Sequence, residues 1–321
     1  MHTQTVESGR QAARRLGGER VADAIKAEVR EEVARLAREH GVVPCLSAVR
    51  VGRDPASEVY VRNKVRACEE LGLRSEHHAL SEETTAEELL RLVGELNRRD
   101  DVDGILVQLP LPRGLDSTRV IEAIDPLKDV DGFHPVNVGR MSLGSPALLP
   151  CTPAGIIALL EREGVEVSGA EVCVVGRSNI VGRPVAELLL RRDATVTICH
   201  SRTRDLPTVT RRADILIAAI GRPGFIRGEH VRAGATVVDV GINRVTDESQ
   251  IRELFGDDAG KRLEAVARRG YTLAGDVHPA EVSRVAGLLT PVPGGVGLLT
   301  VVMLLKNTVR AAKLRRGIEW A

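Results

Sequence analysis

Aromatic residues are scarce in this chain, at 2% of its composition. Aliphatic side chains must therefore form the hydrophobic cores, and the sequence lacks the aromatic platforms on which single-stranded nucleic-acid binders stack bases. The charges are balanced, with 45 basic and 44 acidic residues, so neither nucleic acid nor a membrane surface is indicated as a partner. A chain of 321 residues with 43% hydrophobic residues is long enough for two globular domains, each with its own core.

Cysteines are few and have no C-x-x-C spacing; they are Cys45, Cys68, Cys151, Cys173 and Cys199. An odd, scattered set favours reduced thiols over a disulfide framework or a zinc site. No hydrophobic run approaches the roughly 18 residues of a membrane helix, and residues 1–10 are polar, without the apolar segment of a secretion signal. We therefore expect a cytoplasmic protein without a bound metal and with a disordered N-terminal extension.

Helix-like and strand-like segments alternate along the chain. The sequence predicts helices at 21–38, 85–99, 154–161, 185–190 and 298–315, and strands at 42–51, 74–80, 105–107, 172–175, 195–199, 214–220 and 236–240. Such alternation indicates βαβ units and a mainly parallel sheet. Ligands of such sheets bind beyond the carboxyl ends of the strands.

A further helix is predicted between Asp54, a good N-cap followed by proline, and Gly72, a good stop signal. Tyr60 and Lys64 stand four residues apart on this helix, so that their side chains project as neighbours and can contact one ligand. Partial desolvation at the edge of the helix's apolar stripe would favour the neutral amine of Lys64, which is able to take up a proton. The alternative is a solvated lysine beside a tyrosine at the rim of the core.

Two polar residues of the first half could join that ligand. Gln108 stands at the carboxyl end of the 105–107 strand, where it could bond Lys64 or a ligand, or else cap loop backbone. Asp131 lies in a loop, 126–135, and could accept hydrogen bonds from an amino-pyrimidine-like ring, or else form a turn.

The second half contains a candidate cofactor site. Gly176, Arg177 and Ser178 follow a buried strand and precede a helix, which suits a pyrophosphate, although Ser178 replaces the second glycine of the usual pattern. The next strand is followed by 200–204, where an NAD site would place an acidic residue for the ribose hydroxyl; this chain has hydroxyls and arginines instead. These groups, together with Arg177 in the preceding turn, favour the 2′-phosphate of NADP, and an arginine-rich surface loop is the alternative.

Six motifs together resemble the bifunctional methylenetetrahydrofolate dehydrogenase/cyclohydrolase family, in family order from about Val21 onward. They are the segments 54–64, 108–112, 128–133, 150–153, 175–182 and 291–297. The resemblance implies an α/β fold of two α/β domains around a cleft, the second a Rossmann-like NADP-binding domain, with a C-terminal helix that returns to the first domain. The implied domains are 1–149 plus 291–321 for folate binding and catalysis, and 150–290 for NADP, with an insertion at about 244–271.

The resemblance also implies two reactions: oxidation of 5,10-methylenetetrahydrofolate by NADP, and hydrolysis of the methenyl product to 10-formyltetrahydrofolate. In this interpretation Lys64 transfers the proton in the hydrolysis, and Gln108 modulates Lys64 through a hydrogen bond. Tyr60 packs on the folate and Asp131 anchors the pterin. The cofactor would be held by Gly176, Arg177, Ser178, Ser201 and Ile242, and the folate would also be bordered by Pro293, Gly294 and Gly295. The family suggests a homodimer.

Two departures from the family pattern and two alternative functions remain open. Leu298 stands where the family usually has proline, and the 244–271 insertion, which is charged and expected at the surface, begins just after Ile242. An oxidoreductase like shikimate dehydrogenase would share the plan but use its lysine with an aspartate on a hydroxyl substrate. A non-catalytic nucleotide sensor would bind NADP without turning over any folate.

Overall fold

A computed structural model describes residues 12–53 and 55–318, without the side chains of 55–57, 59 and 60. The predicted N-cap at Asp54 and the predicted disorder of residues 1–10 lie outside the described residues. In chain order, the strands are β1 (Arg14–Arg15), β2 (Cys45–Val51), β3 (Arg74–Leu80), β4 (Gly104–Val107), β5 (Glu171–Val175), β6 (Thr195–Cys199), β7 (Ile215–Ala218), β8 (Thr236–Asp239), β9 (Asn243–Val245), β10 (Thr272–Ala274) and β11 (Leu288–Leu289).

Helices connect most of these strands. They are α1 (Glu19–His40), α2 (Pro55–Leu71), α3 (Ala86–Arg98), α4 (Ser117–Ala123), α5 (Pro135–Ser142), α6 (Cys151–Arg162), α7 (Gly182–Leu190), α8 (Leu206–Thr210), α9 (Glu248–Phe255), α10 (Ala259–Arg269), α11 (Pro279–Val282) and α12 (Val296–Arg315). No helix of the described residues is long and apolar enough to cross a membrane.

The described chain forms two compact units. The six-stranded unit, 12–18, 160–178 and 192–297, holds the sheet β1-β11-β8-β7-β5-β6, in which every pair is parallel. The three-stranded unit, 19–159, 179–191 and 298–318, holds the parallel sheet β3-β2-β4. The predicted α/β class and parallel sheets are confirmed. The predicted return of the last helix to the N-terminal, three-stranded unit is confirmed as well.

The predicted domains, 1–149 plus 291–321 and 150–290, stay a prediction. The compact units differ from them in four segments. Residues 12–18 belong to the six-stranded unit, because β1 pairs with β11. Residues 179–191 and 150–159 group with the three-stranded unit, and 291–297 with the six-stranded one.

The three-stranded unit has an aliphatic core, as expected from the scarcity of aromatic residues. Val49, Leu89, Val93, Leu96 and Ile105 are among its buried side chains. Helix α3 begins with a capping box in which Thr85 and Glu88 bond each other's backbone N–H groups. These local signals explain why the predicted helix at 85–99 is confirmed to within one residue.

A segment after α4 extends this sheet. Ile105 N donates to Lys128 O at 2.8 Å, and Ile105 forms an isolated parallel bridge with Asp129. A side chain on Gly104 would meet Val130, since an added Cβ would lie 2.5 Å from Val130 Cγ1. Gln108 therefore lies directly after β4, and Asp131 lies on the segment that pairs with β4.

The 244–271 insertion is a folded subdomain and not only a charged surface stretch. It consists of the antiparallel pair β9–β10 with α9 and α10 between the two strands. Ile251, Leu254 and Phe255 are buried in a core of their own. Gly256 ends α9, whereas Gly260 lies within α10.

Candidate functional site

Lys64 is buried in the middle of α2, with 9% of its surface exposed. Its Nζ donates to Gln108 Oε1 at 3.1 Å. The alternative of a solvated surface lysine is therefore wrong. Tyr60 lies one turn earlier in α2, as predicted, but its side chain lies outside the described residues.

Gln108 fills both of the roles considered for it. Its Nε2 donates to Leu109 O at 2.7 Å, and its backbone N donates to Val49 O at 2.8 Å. Because the amide nitrogen is committed to the loop backbone, the amide oxygen faces Lys64. The loop contact thus orients the acceptor for the lysine.

Two neighbouring aspartates have different roles. Asp129 is buried and accepts from His134 N at 2.8 Å, Asn137 Nδ2 at 2.9 Å and Phe133 N at 3.3 Å, which organises the turn into α5. Asp131 is half-buried, and its carboxylate has no hydrogen bond within the described part of the chain. The turn-forming role considered for Asp131 therefore belongs to Asp129.

Asp131 and Lys64 are close enough to interact electrostatically. Burial raises the pKa of Asp131 to about 6, while the Lys64 ammonium opposes that rise and Asp129 adds to it. Burial also raises the pKa of the Cys151 thiol, with Asp131 as the next cause, so Cys151 stays a neutral thiol beside the site. Its Sγ lies 3.2 Å from Val130 O.

Asn307 supports this segment from α12 and was missed by sequence reasoning. Its Nδ2 donates to Val130 O and to Leu149 O, each at 2.8 Å. In the sequence it stands between Lys306 and Thr308, so no local pattern singles it out. All five cysteines have free thiols and are buried, which confirms the prediction of reduced thiols.

The glycine turn after β5 has the predicted form. Gly176 has φ +131°, and an added Cβ would lie 2.0 Å from Ala219 O, so no other residue fits there. Arg177 and Ser178 follow and are exposed. The turn leads from the strand to α7, in the order that a phosphate site requires.

The segment after β6 is a tight turn. His200 N donates to Thr203 Oγ1 at 2.9 Å, and Arg202 N donates to His200 Nδ1 at 3.1 Å. Ser201 and Arg202 are exposed as a result. In the described part of the chain, neither Arg177 nor Arg202 has an ion-pair partner, so both guanidiniums are available to an anion.

Ile242 lies 44% exposed after β8, although it is a large apolar residue. It also borders the loop that contains Pro293, Gly294 and Gly295: an added Cβ on Gly297 would lie 3.2 Å from Ile242 Cδ1. The proposed nicotinamide contact and the proposed folate loop therefore meet within the six-stranded unit. Lys64, Gln108 and Asp131 belong to the three-stranded unit.

The insertion also reaches this loop, through a residue that sequence reasoning did not single out. Arg262 of α10 donates to Val292 O at 2.9 Å and to Leu273 O at 3.2 Å. Its guanidinium stacks on the Phe255 ring, 4.4 Å from the centroid. The insertion therefore supports the loop and does not project freely from it.

Two family models match most of the chain. The tetrahydrofolate dehydrogenase/cyclohydrolase catalytic domain matches residues 16–131, and the NAD(P)-binding domain of the same family matches residues 150–316. The bifunctional protein FolD of Koribacter versatilis (strain Ellin345) is 57% identical over 302 residues, which is 94% of this chain and 97% of that protein.

Solved structures of related enzymes have the same fold. The bifunctional FolD enzyme of Campylobacter jejuni superposes with a TM-score of 0.85 at 43% identity, covering 95% of this chain and 100% of that one. The Trypanosoma brucei FolD, solved with NADP cofactor and an inhibitor, gives 0.85 at 40% identity, over 95% and 99% of the two chains. These agreements over nearly the full length show that the chain belongs to the tetrahydrofolate dehydrogenase/cyclohydrolase family, the bifunctional FolD enzymes.

Proposed function

We propose an assignment of the two FolD reactions to individual residues of this chain. The enzyme oxidises 5,10-methylenetetrahydrofolate to 5,10-methenyltetrahydrofolate with NADP, and it hydrolyses the methenyl compound to 10-formyltetrahydrofolate. The bond between the buried Lys64 amine and the oriented Gln108 amide carries the assignment. Lys64 also lies within electrostatic reach of Asp131, whose carboxylate accepts no hydrogen bond from the described residues.

Lys64 serves the hydrolytic step. Water attacks the carbon of the methenyl cation, and the neutral amine accepts the proton that the water loses. When the bond from that carbon to the ring nitrogen breaks, the Lys64 ammonium returns a proton to the leaving nitrogen, and the remaining hydroxyl proton is released to solvent as the formyl carbonyl forms. Gln108 Oε1 holds the amine in place through both transfers.

Asp131 and Tyr60 bind the folate. The Asp131 carboxylate accepts hydrogen bonds from the amino-pyrimidine edge of the pterin, and these bonds are charge-assisted and therefore strong. Tyr60 packs on the substrate from the same helix as Lys64. Pro293, Gly294 and Gly295 border the folate. Their loop is held by a hydrogen bond from Gly18 N to Gly294 O at 2.9 Å.

The oxidation needs no acid or base from the protein, because a hydride leaves the one-carbon bridge and a cation remains. The cofactor, NADP, supplies the hydride acceptor. The protein must hold the two reactants in contact. Gly176, Ser178 and Ser201 hold the phosphates, Arg177 binds the 2′-phosphate, and Ile242 contacts the nicotinamide end.

Replacing Arg177 by alanine is expected to raise the KM for NADP by about tenfold to a hundredfold, the worth of one hydrogen bond between charged groups. NAD has no 2′-phosphate, so its KM should stay unchanged. Initial rates with each nucleotide measure both values. Arg268→Ala removes an exposed arginine of α10 and is the matched control. An equal change for NADP and NAD would contradict the assignment of Arg177.

A spectrophotometric assay tests the whole proposal. The enzyme is given methylenetetrahydrofolate with NADP or NAD, and the reduced cofactor and the methenyl absorbance are followed together. We expect NADP-dependent reduction and a methenyl signal that decays as it is hydrolysed. NADP binding without folate turnover would instead identify a nucleotide sensor.

The oligomeric state and location form a separate proposal. The family resemblance suggests a homodimer, and the five free thiols suit the reducing cytoplasm. Light scattering of the purified enzyme measures the oligomeric state, and a mass of 34.6 kDa, that of one chain, would contradict the dimer.

A further inference from the structure

Two buried aspartates are interlocked beside Ile242, and neither is used in the chemistry above. Asp239, the last residue of β8, is 4% exposed. Its Oδ1 accepts from Asp276 N at 2.8 Å and from Gly241 N at 3.0 Å, and its Oδ2 accepts from Val277 N at 3.0 Å. One carboxylate thus joins the end of β8 to the turn after β10.

Asp276 is fully buried, and its carboxylate accepts a second set of hydrogen bonds. Its Oδ2 accepts from Ile220 N at 2.5 Å and from Gly221 N at 2.9 Å. Its Oδ1 accepts from Arg222 N and from Asn243 Nδ2, each at 2.9 Å. This second carboxylate joins the segment after β7 to the residue that follows Ile242.

Two glycines make room for the two carboxylates. An added Cβ on Gly275 would lie 1.7 Å from Asp239 Oδ2, and one on Gly241 would lie 2.4 Å from Asp276 Oδ1. The Asp239 carboxylate therefore occupies the space that a side chain at Gly275 would need. The Asp276 carboxylate likewise occupies the space that a side chain at Gly241 would need. The arrangement defines one backbone position for Gly241, directly before Ile242.

The interlocked pair also reaches the proposed folate loop. Asp239 N donates to Thr290 Oγ1 at 2.7 Å, and Thr290 directly precedes Pro291. Burying two carboxylates close together is costly unless hydrogen-bond donors satisfy them, and here six backbone N–H groups and the Asn243 side-chain amide do so. The same segments could be joined by ordinary turns, so this costly arrangement points to a need for precise backbone placement at Ile242.

We propose that Asp276, together with Asp239, is a positioning residue for hydride transfer. The pair fixes the backbone of residues 241–243 so that Ile242 holds the nicotinamide end against the one-carbon bridge. This inference rests on the proposed function, in particular on the placement of the nicotinamide at Ile242. Neither aspartate contacts the reacting atoms.

Asp276→Asn tests the proposal. The new amide group replaces one acceptor oxygen, so that two of the four donors lose their partner. We expect kcat/KM for the oxidation to fall by about tenfold to a hundredfold, as for reactants misplaced by about 1 Å. We expect hydrolysis of added 5,10-methenyltetrahydrofolate, which needs Lys64 and not Ile242, to stay within about threefold of the wild-type rate. The kinetic isotope effect on kcat with methylene-deuterated substrate should increase, because hydride transfer becomes slower.

A matched control separates positioning from stability. Asp103→Asn alters an equally buried aspartate of the three-stranded unit, which accepts from Cys45 N at 3.0 Å. It is expected to lower Tm without a larger isotope effect. If Asp276→Asn does not fold, Asn243→Ala leaves both carboxylates intact and removes one donor; it should show the same selective loss to a smaller degree.

The possible outcomes are distinct. Equal loss of both activities, or an unchanged isotope effect, in Asp276→Asn or its substitute Asn243→Ala would overturn the positioning role. Absence of NADP-dependent oxidation in the wild-type enzyme would instead overturn the proposed function itself. A selective loss of oxidation with a larger isotope effect supports the inference.

Discussion

Lys64→Met is expected to lose hydrolysis of 5,10-methenyltetrahydrofolate by about 10²- to 10⁴-fold, the usual contribution of a proton-transferring side chain. Methionine keeps much of the length and apolar character of the lysine stem but cannot accept a proton. The Kd for NADP should stay near the wild-type value, because the cofactor residues belong to the other compact unit. Decay of the methenyl absorbance measures the first quantity, and fluorescence titration measures the second.

Lys26→Met provides the matched control for this change. Lys26 lies on α1 in the same compact unit, with its Nζ 3.4 Å from Asp23 at the surface, and should tolerate the same substitution without loss of either activity. Loss of NADP affinity in Lys64→Met, or hydrolysis at the wild-type rate, would show that Lys64 does not have the role proposed here.

Asp131→Asn is expected to lower kcat/KM for the folate in both reactions by about tenfold to a hundredfold, since an interaction with a charged acceptor is lost. The shared loss distinguishes Asp131, which binds the substrate, from Lys64, which acts in one step. Asp116→Asn is a suitable control, because asparagine can still accept from Thr118 N at the start of α4. Wild-type kinetics in Asp131→Asn would exclude an anchoring role.

The same carboxylate predicts a pH dependence. Because burial raises the pKa of Asp131 to about 6, the carboxylate becomes protonated as the pH falls through that value. Only the ionised form accepts hydrogen bonds at both oxygens, so kcat/KM for the folate should fall below pH 6 by about tenfold per unit. Asp131→Asn should lack this acidic limb. A limb that persists in the variant would have to come from another group.

Local signals predicted most of the regular structure. The strands Arg74–Leu80 and Thr195–Cys199 were predicted to the residue, and helix α2 ends where Gly72, with φ +81°, allows the chain to turn. Helix α5 was missed because its sequence is rich in turn-forming residues and its N-cap is a histidine, His134. Helices α6 and α12 begin earlier than predicted, at Cys151 and Val296, because proline and glycine are tolerated in a first turn.

Residues of the proposed site could be predicted where a pattern within one short segment of the sequence indicates them. Lys64 follows from helical spacing, and Gly176 follows from the order of strand, turn and helix. The interlocked Asp239 and Asp276 stand 37 positions apart in the chain, and Asn307 stands 177 positions from its acceptor on Val130. Such pairings depend on tertiary contacts, which no local pattern encodes, so only the structure could identify them.

The central claim is that the Lys64 amine transfers the proton in hydrolysis, and chemical rescue tests it most directly. Lys64→Ala removes the amine and leaves space, and added methylamine can then supply a neutral amine to the site. The account predicts that the lost hydrolysis of 5,10-methenyltetrahydrofolate returns in proportion to the concentration of unprotonated methylamine, as measured by decay of the methenyl absorbance. Hydrolysis that stays at the level of the variant at every methylamine concentration, while folate and NADP still bind, would contradict it.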